Sequence, residues 1–336
     1  MCWFSHDLEP YAFKALLGRR VLLAWMLLGS VSPDVFTKFF IESGWIPVEQ
    51  HRGVGLGITH TLFFGLLVSA LIYAALRGRM GRGYASKAAL SFLAGQWSHV
   101  LLDSLDSVGL MALFPLSTSH YPLALWSYAA QLGHWGDLYV FYHSPALLIE
   151  TAAFAAAWVE AYRFLTPRGF ARLAGEEGLS KLLGPRRWRL LYTLYFYYLA
   201  ASLRLPAWIY KVWFSYQPSS EALALASRNA LYSVFTNPWI ALAALAVILA
   251  TLTRGLYRLA QEAGGAAALT LATEGALLAA IALLVGSEPL MAALSTIAAA
   301  ATAYTLTHTF RTLGTSMFEK IESNNEPRQE STGDGA

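Results

Sequence analysis

Charge is what this sequence has least of. Asp, Glu, Lys and Arg make up 13% of the 336 residues, about half of the roughly 25% found in soluble domains. Hydrophobic residues make up 56%, and that combination describes an integral membrane protein rather than a soluble enzyme. The formal charge of +3 is too small, and too confined to a few loops, for a nucleic-acid partner. A single cysteine, Cys2, excludes an intrachain disulfide. Met1 to Glu9 offers no basic stretch ahead of an apolar core, so no cleaved signal peptide is expected and the mature chain is expected to begin near Met1.

Apolar runs of about 20 residues are then the main feature. They fall at 54–76, 88–113, 138–162, 190–213, 237–253, 266–286 and 290–310. An earlier segment, 11–31, is interrupted by Gly18, Arg19 and Arg20 and reads as a hairpin of two short helices. The expected fold is an all-α polytopic bundle of about seven spans plus this N-terminal hairpin. Short basic connections stay cytoplasmic, which places 77–87 (Arg77, Arg79, Arg82, Lys87) and 163–189 (seven Lys and Arg from Arg163 to Arg189) on that side. The 114–137 connection has no Lys or Arg and falls on the opposite side. The polar tail 323–336 lacks apolar periodicity and is expected to be disordered and cytoplasmic.

Polar residues inside these runs carry the functional signal. Gln96, His99, Asp103 and Asp106 follow one another at offsets of three, four and three, so a helix would project all four from one face. A carboxylate at mid-bilayer costs about 2.5–3.5 kcal/mol on insertion scales, so it is kept where it meets another polar group, water or a metal. Counting 1.5 Å per residue from the expected span ends puts His60 about 9 Å and Asp103 about 8 Å below the same boundary. Pro33 biases Ser32 away from helix and presents Asp34 at an element boundary. His6 lies on the same side if 7–31 is a hairpin. His6, Asp34, His60, His99 and Asp103 thus form a set of nitrogen and oxygen donors that zinc, manganese or iron accepts.

Three runs carry a family likeness: Gly29-Ser-Val-Ser-Pro-Asp34; Gly57-Ile-Thr-His60-Thr-Leu; and Ser98-His99-Val-Leu-Leu-Asp103-Ser-Leu-Asp106-Ser-Val-Gly109, continuing to Phe114-Pro115-Leu. Together they resemble the YdjM-type family of integral-membrane proteins described as metal-dependent hydrolases, over residues 1–160. The pattern is also similar to zinc-dependent phospholipase C. The resemblance implies that His6, Asp34, His60, His99 and Asp103 are metal ligands. It departs in two places. The family's compact His-Arg-Gly-x-Thr-His is split here by five residues between Gly53 and Thr59, and the phospholipases' later His-x-x-x-Glu is absent. His51, Asp106, His134 and Asp137 are further candidates for an outer or additional ligand, and His120 and His143 only loose ones. Glu150, Glu160, Glu274 and His308 are read as pairing or cavity-lining residues.

These features divide the chain into a metal-binding hydrolase-like domain at 1–162, a basic connection at 163–189 and a C-terminal helical domain at 190–313. Ala-rich runs in 241–310 favour close helix contacts, within one bundle or a homo-oligomer. The expected activity is hydrolysis of a lipid or lipid-linked phosphoester near the extracytoplasmic face of the plasma membrane, with a divalent transition metal, zinc first, and Asp34 at the reacting centre. A non-catalytic scaffold with a structural metal and a metal or proton transporter are the alternatives. Sidedness is tested by single cysteines placed after replacement of Cys2. Ser119→Cys should react with an impermeant thiol reagent from outside and Ser86→Cys should not; reversed labelling would put the His/Asp set on the cytoplasmic side.

Overall fold

A computed structural model of the chain describes residues 5–34, 56–129, 132–163 and 199–285, with isolated positions between 169 and 197 and short pieces between 290 and 305. His51, His308, the tail 323–336 and most of the 163–189 connection lie outside the described residues. So do much of the 190–213 segment before Leu199 and the last residues of 290–310. The secondary structure of the described part is helical, with no strand among the described residues beyond one isolated bridge between Asp106 and Trp126.

The expected N-terminal hairpin is present. Helix α1 (Ser5–Leu17) and helix α2 (Leu23–Val31) are joined by a 3-10 turn at Gly18–Arg20. Pro10 sits inside α1; lacking an N–H, it leaves the carbonyl of His6 one turn earlier without its helical partner. The hydroxyl of Ser30 in α2 donates to that carbonyl, which ties the two helices together beside His6. The start of α2 has no cap from its own Leu22 side chain. Buried Glu177, in the connection far along the chain, accepts from the N–H groups of Leu23 (2.5 Å) and Ala24 (2.9 Å) and pairs with Lys14 at 3.5 Å. Glu177 thereby satisfies donors that a helix start leaves open. Ser32 departs from expectation: it keeps helical angles ahead of Pro33. Its N–H bonds to Leu28 and its hydroxyl to Gly29, which offsets the pre-proline preference.

Helix α3 (Leu62–Met80) and helix α4 (Arg82–Asp103) form an antiparallel pair joined at Gly81. With 22 residues, α4 is about 33 Å long. It packs against both α3 and α2. A Cβ on Gly29 would overlap the carbonyl of Phe92, and one on Gly95 would overlap that of Met26, so α2 and α4 touch backbone to backbone. After α4, residues 104–129 form an excursion that returns to the helix end through bonds such as Leu123 N to Ser104 O and Leu125 N to Leu105 O.

The expected span 138–162 is broken. Helix α5 (His134–Tyr142) and helix α6 (Ala146–Ala161) meet at 91°. Pro145 cannot donate to a helical carbonyl, and the side chain of Asn229 bonds the carbonyls of Val140 and His143 at the corner. Beyond these come α7 (Leu205–Phe214), α8 (Ser220–Ala226), α9 (Tyr232–Phe235), α10 (Pro238–Ala263) and α11 (Gly265–Leu284). The main apolar core joins Leu8 and Tyr11 of α1 to Phe154 and Trp158 of α6 and continues to Trp208 and Ile209 of α7.

Among the described residues, α3 and most of α10 are long and apolar enough to cross a membrane, and the bent α5–α6 pair is a third if it counts as one span. The expected count of seven is therefore supported at two or three. The outward surfaces carry Leu66, Leu67 and Leu71 on α3, Leu90 and Leu101 on α4, and Leu242, Val247 and Leu249 on α10. Ser91, Gln96, His99 and Asp103 of α4 face inward. That inversion of a soluble protein's pattern is what lipid solvent requires. The α2–α4 contact is tested by Gly95→Val, which should destabilise the protein by about 1–3 kcal/mol through overpacking. The measurement is thermal unfolding in detergent, and an unchanged midpoint would contradict the close approach.

Candidate metal centre

Five side chains from four separate elements converge where the helices end. His6 is in the first turn of α1, Asp34 follows α2, His60 ends the 3-10 turn Leu56–His60 ahead of α3, and His99 and Asp103 occupy the last turns of α4. None is more than 6% exposed. His6 Nε2 lies 3.1 Å from Asp103 Oδ1, and His60 Nε2 lies 3.2 Å from Asp34 Oδ1. Asp103 Oδ2 faces His60 Nε2 at 3.8 Å and His99 Nε2 at 3.7 Å, while His99 Nε2 is also 3.8 Å from Asp34 Oδ1. The rings of His6 and His99 stack with centroids 3.9 Å apart.

Surrounding groups decide which ring nitrogens carry hydrogen. His99 Nδ1 is 2.7 Å from the carbonyl of Ser30, which can only accept, so Nδ1 is the donor and Nε2 keeps its lone pair. The hydroxyl of Thr59 donates to the carbonyl of Pro33 at 3.1 Å, which leaves its oxygen to accept from His60 Nδ1 at 3.2 Å. His60 Nε2 then also points a lone pair inward. Gln96 holds the turn itself, donating from Nε2 to the carbonyls of Thr59 (3.1 Å) and Thr61 (2.9 Å). Thr61 caps α3 by accepting from Phe64 N.

Two imidazole lone pairs face two carboxylates, a donor arrangement that a cation would bridge. His99 Nε2 is buried with no hydrogen-bond partner, and a buried polar atom left that way costs about 1–3 kcal/mol. Two groups, His6/His99/Asp103 and Asp34/His60/His99, have ligand atoms within 4.8 Å of one another. Donors at about 2.0–2.2 Å from zinc lie about 3–3.6 Å from each other, close to the separations here. The donor set, its orientation and the orphaned nitrogen all fit a divalent transition metal, and the partners of the Nδ1 atoms fix imidazoles as outer groups do in metal sites.

The same stretch of chain matches the model of the YdjM inner membrane protein family over residues 7–172. Over those residues the chain is similar to that family. The match spans the motifs that suggested it and does not extend to a phospholipase. No curated protein and no solved structure matches the chain. The family description and the apolar helices together make this a membrane protein.

Within the YdjM segment, the other candidates stand apart from the centre. Asp106 belongs to neither group: α4 ends at Asp103, so the helical face does not continue, and Asp106 Oδ1 instead accepts from Val108 N (3.0 Å) and Gly109 N (2.9 Å). Asp137 accepts from Leu132 N at 3.1 Å across the start of α5. His134, in the first turn of α5, sits edge-on to Trp135 and Trp208. His143 bonds its own helix at Tyr139 and stacks on Trp213 at 4.3 Å; His120 is exposed. Glu160 pairs with Arg163 at 2.8 Å. One acidic residue escaped the sequence reading. Buried Glu9 accepts from Ser98 (2.6 Å) and has an oxygen 2.9 Å from the Ser30 hydroxyl oxygen, and its place one turn after His6 was the available signal.

Metal analysis of purified protein checks the assignment. At least one divalent transition metal per chain is expected, lost in His99→Ala and Asp103→Ala and retained in Asp106→Asn. Wild-type protein that remains metal-free after incubation with zinc, manganese or iron would remove the centre.

Proposed function

We propose that this protein is a membrane-embedded metal-dependent hydrolase that cleaves a lipid or lipid-linked phosphoester. The observation that carries the reading is the Asp103 carboxylate, which faces His6 with one oxygen and His60 and His99 with the other. It joins the two ligand groups into one centre. Asp34, His60 and His99 would hold a divalent metal, zinc first, with His6 and Asp103 completing the set. When bound, such an ion supplies Lewis acidity that makes water nucleophilic near neutral pH and polarises a phosphoryl oxygen.

The chain's own residues supply position and exclusion. The carbonyl of Ser30 and the hydroxyl of Thr59 fix the His99 and His60 rings, so the donors are oriented before substrate arrives. Asp34 lies after the end of α2 rather than within it, and its oxygen reaches both His60 and His99. From there it orients the attacking water. Location supports a lipid substrate: the centre is at the ends of α2 and α4 and at the start of α3, which is long and apolar enough to cross a membrane.

Near-complete burial of all five side chains favours a second reading, a structural metal in a non-catalytic scaffold. A transport path is less well supported. Along α4 toward its start, buried positions become Phe92, Ala89, Ala88 and Ala85, with Ser91 bonded to Leu22 N.

The discriminating variant is Asp34→Asn, which keeps size and removes charge. It should lower hydrolysis of a lipid phosphoester by about 10²-fold or more with the unfolding midpoint retained. Metal-loaded wild type that turns over no phospholipid or lipid-linked phosphate would leave the scaffold reading in place. Equal turnover by Asp34→Asn and wild type would keep the enzyme and discard the role of Asp34.

A further inference from the structure

We propose that the crest of the 104–129 excursion, centred on Leu113 and Leu116, docks into the membrane leaflet beside the His/Asp centre, with the acyl chains of phospholipids as its partner. Residues 107–136 contain no Asp, Glu, Lys or Arg. Leu116 is 78% exposed, Leu123 57% and Leu113 38%. An uncharged loop that holds leucines away from its own protein is built for an apolar solvent.

The crest is held out by a stiff base rather than left loose. Asp106 caps the turn at Val108 and Gly109. Gly109 has φ of +65°, and a Cβ there would meet the backbone of Pro122, so the two limbs of the excursion touch. Tyr121 N bonds Leu110 O at 3.0 Å, closing the base below the crest. The leucines therefore cannot fold back without breaking these contacts.

Its direction comes from one bond. Leu62 N donates to Ala112 O at 2.9 Å, which fixes the crest beside the first turn of α3. That helix is a candidate span, and its exposed Phe63, Leu66 and Leu67 already face lipid. Leu113 and Leu116 continue that apolar surface past the helix end, while Ser117, Ser119 and His120 follow on the other limb. The leucine side enters the leaflet and the serine side stays at the headgroups. Because Thr61 and His60 immediately precede Leu62, the docked crest also marks where a lipid linkage reaches the centre; that last role rests on the hydrolase reading.

Nitroxide labels in phosphatidylcholine vesicles test the docking with no need for catalysis. In a Cys2→Ser background, a label at Leu116→Cys should collide more with oxygen than with a water-soluble nickel chelate, and one at Ser119→Cys should show the reverse. Nickel access at position 116 equal to that at 119 would overturn the proposal by putting the crest in water. Low access to both reagents at position 116 would overturn it by showing the crest covered by protein, a second copy included. For delivery, Leu116→Glu should lower turnover of bilayer lipid by about tenfold relative to a short-chain soluble ester of the same headgroup. An unchanged ratio would remove the delivery role while leaving docking intact. Failure of wild type on both substrates would sink the hydrolase reading and leave the label result standing.

Discussion

At Gly29 and Gly95 the backbones of α2 and α4 approach so closely that a methyl group at either position would overlap the carbonyl opposite. The centre depends on that contact. It brings the carbonyl of Ser30 within 2.7 Å of His99 Nδ1, and it sets the end of α2, hence Asp34, opposite the last turns of α4. A larger residue at either glycine would separate the helices by more than the length of a hydrogen bond can absorb. In lipid, where apolar side chains gain little by leaving the solvent, small residues at helix contacts supply packing that hydrophobic burial supplies in water. Close packing and site geometry are here one property.

The network then spreads from Ser30. Its hydroxyl meets the His6 carbonyl freed by Pro10 and the buried carboxyl of Glu9, and its carbonyl orients His99. One small side chain on α2 thus links α1 and α4. Gln96 does the equivalent for the turn ahead of α3. The five side chains come from different elements or different turns, and the rings of His99 and His60 are each held by a polar group whose position is fixed within the bundle. This is how a polar cluster survives in a bundle whose outer face is leucine: an unmade bond would have no water to fall back on.

Sequence made parts of this legible and hid others for identifiable reasons. The His99 and Asp103 spacing is readable because an α-helix repeats every 3.6 residues. The same periodicity misplaced Asp106, since nothing in Asp103-Ser-Leu-Asp106 announces that α4 stops. His60 and Asp103 were placed at one level by counting inward from span ends. They do meet, but at the helix ends, because α3 begins at Leu62 rather than near residue 54. The span at 138–162 read as continuous because apolar composition masks a corner, although Pro145 marked it. Glu177 and Asn229 were beyond reach: each satisfies backbone groups 86 or more residues away, and only the folded chain relates them.

Placing the centre at helix ends changes what the polar residues of α4 mean. A histidine and a carboxylate at mid-bilayer would suit an ion path, since conduits and pumps are among the proteins that keep charge there. Here the same residues lie at the end of α4, beside the start of α3, a helix long and apolar enough to cross a membrane, and beside the apolar excursion that follows Asp103. On the proposed hydrolase reading, a substrate anchored by its own acyl chains would present its polar linkage there. The 104–129 excursion reinforces this, since its base is bonded directly to the residues that follow Asp103. The element that shapes the surface above the centre is therefore mechanically continuous with the helix that carries two of its five side chains.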